Sequence, residues 1–271
     1  MPESQIKVQL NPDVVPAGSD LSIVNAARRS FNTRSEWNWS KELESGTGDG
    51  RTLKDKDKRL LEFLARGVTV EDFNKFTLDL KSMVTEGYED WVDITPELTE
   101  KLWQWRNTPT HDTPFNHTFI SFEVQAPIFV RAQLVKHEYL IMSEFSRRYI
   151  TDDITFYEPD VWRKAAENKK QGSSDKAVDP QVTKEDLHGY ALGTYLHMID
   201  MGVAPEQARM VLPQSTMTEW TWSGTLGAFA KMCTLRLHPE AQYEARLVAQ
   251  QVYEYLKEYY PVGAKALVEG V

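Results

Sequence analysis

Ile128-Phe129-Val130-Arg131-Ala132-Gln133-Leu134-Val135 runs directly into Lys136-His137-Glu138-Tyr139-Leu140-Ile141-Met142-Ser143-Glu144-Phe145-Ser146-Arg147-Arg148-Tyr149. The first segment is apolar and helix-compatible, and Pro127 ahead of it stands where a helix start tolerates proline. If that helix continues, Gln133, Lys136 and His137 fall at i, i+3 and i+4 and share one face. The second segment gathers a lysine, a histidine, two glutamates, hydroxyls and two arginines, which suits an anionic, hydrogen-bonding ligand. Upstream, residues 117–126 alternate as a strand, with Phe122, Val124 and Ala126 on one face.

Away from this strand–proline–helix unit the pattern is mostly helical. Residues 19–31 predict a short capped helix, and amphipathic helices are expected near 55–66 and 96–106, with a helical stretch around 70–85. Trp91, Trp103 and Trp105 supply large apolar area there. Residues 41–58, with Gly46, Gly48 and Gly50, read as a loop, and the polar, lysine-rich stretch 163–184 as a surface spacer. A helix near 185–201 carries Leu187, Ala191, Tyr195 and Met198, and another follows Pro205. Residues 240–259 place Ala241, Ala245, Val248, Val252, Tyr255 and Tyr259 at three- and four-residue spacing, a strong amphipathic signal. No βαβ repeat, Gly-x-Gly-x-x-Gly turn or P-loop is present, so any dinucleotide must be held another way.

The 271 residues suffice for a large core, and 41% hydrophobic with 26% charged residues is an ordinary globular balance. No apolar run approaches the roughly 20 residues that span a bilayer. The N-terminus lacks the apolar centre of a secretory signal, so a soluble cytoplasmic protein is expected. A net charge of −9 argues against general binding to nucleic-acid polymers. The single cysteine, Cys233, rules out an intrachain disulfide or a cysteine-based zinc site and reads as a buried helical residue. His111 and His117 lack a third ligand, so hydrogen-bonding or structural roles are expected there rather than metal binding.

In order along the chain come His111-x-Thr113-Pro-Phe-x-His117, Phe122-x-Val-x-Ala-Pro-Ile-Phe-Val130, Gln133, Ser143-Glu144-x-Ser146-x-Arg148-Tyr149, Ala208-Arg209-x-Val-Leu-Pro213, and Leu235-Arg236 with Ala241-Gln242-x-Glu244 downstream. Ala26-Ala27-Arg28-x-Ser30-Phe31 precedes them. This ordered set resembles the flavin-dependent thymidylate synthases over residues 19–35 and 109–260. The resemblance implies a single domain over 1–271 with an α/β (α+β) fold, a mixed β-sheet core packed with long helices, and a homotetramer with active sites at subunit interfaces. It further implies FAD, with NADPH and methylenetetrahydrofolate as co-substrates, and reductive methylation of dUMP at C5.

Carried over by position, Gln133, Leu134, Val135, Lys136, Glu144, Phe145, Ser146, Arg147 and Arg148 would line the nucleotide, with Arg209 at its phosphate. Arg236 matches the catalytic arginine that polarises the uracil ring. Ser30, His111, Thr113, Lys136, His137, Glu138, Glu144, Thr225, Leu226, Gly227 and Lys231 match cofactor contacts. The logic is that of an oxyanion hole: a desolvated guanidinium stabilises charge developing at N3/O4 so that C5 can act as a nucleophile. The three arginines are expected to converge on one nucleotide.

The match is incomplete. Lys136, Glu138, Ile141 and Ser143 stand where the family signature has Arg, Arg, Ser and Asn. Thr225, Gly227 and Lys231 replace an Asn, an Arg and an Asn. About 40 extra residues lie within 60–108. Lysine keeps charge but loses the bidentate fork. Two alternatives follow: a relative that modifies a pyrimidine nucleotide differently, by hydroxymethylation or on dCMP, and a catalytically silent nucleotide-binding homologue.

Overall fold

The alternation read in the strand before Pro127 organises the fold. The computed structural model describes residues 5–39, 50–85, 96–108, 110–167, 172–183 and 185–269; of the loop expected at 41–58, residues 41–49 lie outside them, as does Trp91, while the rest holds a short strand and the start of a helix rather than loop alone. In chain order the elements are β1 (Lys7–Leu10), α1 (Asp20–Arg28), β2 (Asn38–Trp39), β3 (Arg51–Thr52), α2 (Asp55–Arg66), α3 (Val70–Thr85), α4 (Pro96–Asn107), β4 (Ile120–Pro127), α5 (Ile128–Leu134), β5 (Ile141–Glu144), β6 (Arg163–Ala165), β7 (Ser173–Ala177), α6 (Tyr190–Asp200), α7 (Pro205–Ala208), β8 (Met217–Gly224), α8 (Leu226–Arg236), α9 (Tyr243–Tyr259) and α10 (Pro261–Val268). They form two compact units. The first comprises Met1–Val15, Ile120–Gly224 and Met232–Glu254; the second comprises Pro16–Phe119, Thr225–Lys231 and Tyr255–Val271.

The first unit is built on a four-stranded sheet ordered β1-β4-β8-β5. A mixed sheet was expected, yet every pairing among its strands is antiparallel. Ile120, Phe122, Val124 and Ala126 bury completely on one face, opposite Trp220 and Trp222 of β8. Period-two patterning therefore sets the register, since a one-residue slip would turn this whole set to the other face. Each large side chain so buried contributes about 1.5–3 kcal/mol. On α9, Ala245, Val248, Ala249 and Val252 are buried, and Gln251 ties the edge strand β1 by accepting from Val8 N at 2.9 Å and donating to Ile6 O at 3.1 Å. Cys233 is fully buried, as expected, and burial pushes its thiol far above the usual range.

Expectation and structure part in three places here. The stretch 163–184 includes the antiparallel hairpin β6–β7 rather than only a spacer. Pro127 closes β4 and caps α5 instead of opening its first turn. At the end of α9 the buried stripe passes through Tyr253 and Leu256 rather than Tyr255 and Tyr259, because the helix keeps its 3.6-residue period.

In the second unit the helices at 55–66, 70–85 and 96–107 match their expected positions closely. Ser19 caps α1 by accepting from Ser22 N. Gly67 ends α2 at φ +74°, and a Cβ there would meet Thr108 Cβ at 2.9 Å, so glycine is required twice over. Arg66 donates from Nε to Ala266 O at 2.6 Å and from Nη2 to Lys265 O at 2.8 Å, satisfying the last carbonyls of α10. Phe73 and Phe76 of α3 pack against Trp105 of α4.

Asp20 accepts from Val262 N at 2.8 Å and Gly263 N at 2.9 Å, capping α10. Burial outweighs both bonds and pushes its carboxyl up to about 6. The folded value lies above the unfolded one of about 4, so its titration contributes most at low pH and is lost as pH rises through 6. Asp20→Ala should cost about 1 kcal/mol of capping. Urea melts against pH should show the gap from the parent protein wider near pH 4 than near pH 7.

Candidate active site

α5 stops short of the expected continuation. Leu134 is its last residue, Val135 caps it through a bond to the Arg131 carbonyl, and His137 N donates to Leu134 O at 3.2 Å. The chain turns through Tyr139 at φ +63° so that Ile141–Glu144 can pair with Trp220–Ser223 of β8. Pairing to the sheet thus wins over another helical turn, and Lys136 and His137 leave the helix. Gln133 and Lys136 nevertheless line the same cavity of about 670 Å³ as Arg236 from the end of α8. Arg236 donates from Nε to His137 Nε2 at 3.0 Å and from Nη2 to Gln133 O at 3.3 Å. Burial lowers its guanidinium pKa, in the partly desolvated surroundings an electrostatic role requires.

Besides Gln242 and Glu244 of the Ala-Gln-x-Glu motif, the lining includes residues that the sequence did not mark, among them Arg163, His188 and Tyr157. Arg163 bonds to Glu244, donates to Ser173 Oγ at 2.9 Å and lies 4.0 Å over the Tyr243 ring. Gln242 bonds to Gln133 and, at 3.1 Å, to Glu244. His188, in one turn of π-helix, stacks on Phe156 at 4.5 Å and meets Ser215 Oγ at 3.0 Å. Tyr157 also lines the cavity, and burial raises its phenol pKa. Trp162, directly before the polar stretch, is the sequence signal that could have marked a packed segment.

Arg148 and Arg209 line a different cavity, of about 370 Å³, together with Glu144, Phe145, Ser146 and Arg147. Arg148 Nε donates to Ser146 Oγ at 3.2 Å, and Arg209 Nε to Glu206 O at 3.3 Å. Among the described residues their Nη groups make no hydrogen bond, as an anion site needs, although the Arg148 guanidinium lies 5.2 Å over the Tyr149 ring. Arg147 is spent on the fold: it lies over Phe145 and donates to Asp152 O at 2.6 Å and Asp153 O at 3.3 Å. Glu144 bridges Arg131 at 2.8 Å and accepts from Thr218 at 2.9 Å. Within one chain the three guanidinium groups therefore do not meet in a single cavity. Arg148 and Arg209 share one cavity, whereas Arg236 is turned toward the α5 end by its bonds to His137 and Gln133.

The remaining expected residues divide by unit. Lys136, His137, Glu138 and Glu144 belong to the first; Ser30, His111, Thr113, Thr225, Leu226, Gly227 and Lys231 belong to the second. Leu134 and Leu226 are completely buried. Val135, Lys136 and Glu138 are exposed. In the second unit Thr225 caps α8 by accepting from Ala228 N at 3.2 Å and donates to Asn116 Oδ1 at 2.6 Å. Lys231 pairs with Asp112 at 2.9 Å, and this hydrogen bond, before all else, lowers the Asp112 pKa. The 111–117 loop is thereby drawn onto the first two turns of α8. His111 and Thr113 lie exposed on that loop, and Ser30 is exposed in the turn after α1. The exposed Thr113 hydroxyl, the Lys231 ammonium and the N-terminus of α8 are groups of the kind a diphosphate would need, while the Thr225 proton is given to Asn116. Gly227 sits tightly here: a Cβ would fall 2.5 Å from Asn116 Oδ1.

Residues 15–262 match the family described as thymidylate synthase complementing protein. The chain belongs to this family. Within the thymidylate synthase complementing family, the chain is 37% identical over 161 residues to the flavin-dependent thymidylate synthase of Thermus thermophilus, covering 59% of this chain and 60% of that protein. It is 34% identical over 167 residues to the protein of the same name from Wolbachia pipientis, covering 59% and 58%. The chain thus spans about 60% of the length of these curated relatives. A UMP/dUMP methylase, PolB from Streptomyces cacaoi, solved with 5-Br dUMP, superposes with a TM-score of 0.63 at 24% identity over 97% of this chain and 94% of that one. At that identity the likeness establishes the fold. No helix among the described residues is long and apolar enough to cross a membrane.

Proposed function

We propose that the chain is a flavin-dependent thymidylate synthase that methylates dUMP at C5. The observation that carries this reading is Arg236, partly desolvated and held by His137 and Gln133 at the wall of the larger cavity. Arg236 stabilises charge on the N3/O4 side of the uracil, while Gln133 and Lys136 orient the ring. Ser146, Arg148 and Arg209 take the phosphate. Since Arg236 lines a different cavity, one nucleotide touches both sets where two copies meet, in keeping with a homotetramer.

Thr113, Thr225 and Lys231 hold the FAD diphosphate, with Ser30 and His111 nearby. When bound, the flavin supplies the hydride that completes the methyl group, with NADPH as reductant and methylenetetrahydrofolate as carbon donor. Residues 1–271 act as one domain, and α3 and α4, joined by their aromatic cluster, form the addition within 60–108.

The test is mass analysis of the product after incubation with dUMP or dCMP, methylenetetrahydrofolate and NADPH. A methylated uracil nucleotide is expected. A hydroxymethyl product, or turnover of dCMP alone, would replace this reading with one of C5 modification of another kind. No product and no flavin absorbance would leave only nucleotide binding.

A further inference from the structure

We propose that His137 is the positioning residue for Arg236: its neutral imidazole accepts the Nε proton and aims the free edge of the guanidinium into the larger cavity. The inference rests on the nucleotide reading of that cavity. Arginine has five N–H donors. Nε and one Nη2 proton are committed to His137 Nε2 and Gln133 O, at 3.0 and 3.3 Å. With both bonds made, the plane of the guanidinium is fixed, and the remaining Nη protons lie along one edge. Because Arg236 is a wall residue of the cavity, that edge is the part available to a ligand carbonyl.

An imidazole nitrogen that accepts from a cation must be unprotonated, so His137 is held as the Nδ1–H tautomer. The turn after α5 makes this possible, because ending the helix at Leu134 leaves the ring beside α8. Burial first, and the Arg236 charge second, lower the imidazole pKa to about 4. Arg236 is the charged group that acts on the ring from α8; Lys136 and Glu138, its neighbours on its own turn, are exposed. Protonation would remove the acceptor and set two cations side by side, so the arrangement holds near neutral pH and fails in acid. His137 therefore acts through Arg236.

Two variants separate this role from packing. His137→Gln offers an acceptor oxygen near the position of Nε2, whereas His137→Leu fills similar space without one. With dUMP as substrate, His137→Gln should keep kcat within about threefold of the parent enzyme, and His137→Leu should lose about tenfold or more in kcat with little change in KM. Equal kcat in both variants would overturn the proposal. Imidazole nitrogen NMR of the unliganded protein tests the pairing without turnover. The Nδ1–H tautomer should persist down to pH 5, and in Arg236→Gln the titration should move toward 6.5. A parent imidazole that titrates near 6.5, or carries its proton on Nε2, would overturn the pairing even if the nucleotide reading stands. A preparation with the expected spectrum and no turnover would count against the nucleotide reading instead.

Discussion

Arg236→Ala should lower kcat for dUMP by about 10²–10³-fold, the loss typical when one preorganised donor to developing negative charge is removed. The fold should tolerate the change, since Arg236 is only half-buried and stands at the wall of a cavity. The informative comparison is with Arg209→Ala. Arg209 lines the smaller cavity, so its loss should weaken nucleotide binding and raise KM more than it lowers kcat. Steady-state kinetics on both variants would reveal the split. Equal effects on kcat would remove the distinction between a ring-side and a phosphate-side arginine.

The largest expected loss of stability lies in the second unit. Asp57 of α2 is fully buried, and Arg28 reaches its Oδ1 at 2.5 Å with Nη2 and 3.2 Å with Nε; Ser35 Oγ donates to the same oxygen at 2.9 Å. Removing one member of a buried pair leaves the other charge uncompensated, at a cost of about 3–5 kcal/mol. Asp57→Ala and Arg28→Ala should each approach that loss in urea melts, and the double variant should lose less than their sum. Additive losses would mean that the two side chains act independently. Arg28 belongs to the Ala-Ala-Arg-x-Ser-Phe segment through which the chain resembles its family, and its structural role is to anchor α1 against α2.

What the sequence made legible follows from which forces were local. α2, α3 and α4 begin and end close to where spacing places them, and the strand through Phe122 and Val124 shows its buried face by simple alternation. β5 was hidden. Ile141-Met142-Ser143-Glu144 carries no clear alternation, and it becomes a strand because Trp220–Ser223 offers it an edge. The same pairing ends α5 early, so the expected helical face of Gln133, Lys136 and His137 does not exist, although the cavity reunites Gln133 with Lys136. Arg163, Tyr157 and His188 escaped notice because they sit in stretches of ordinary polarity. Their partners, Glu244 and Ser215, are remote in sequence, and no local pattern records contacts of that kind.

The tight fit at Gly227 constrains what can be engineered there. The resemblance would place arginine at 227, but in this chain the amide of Asn116, bonded to the Thr225 hydroxyl, lies where a side chain there would begin. Any side chain at 227 would have to displace the Asn116 amide and break its bond to Thr225, the residue that caps α8. A larger residue at 227 should therefore be accommodated more readily together with a smaller one at 116 than alone.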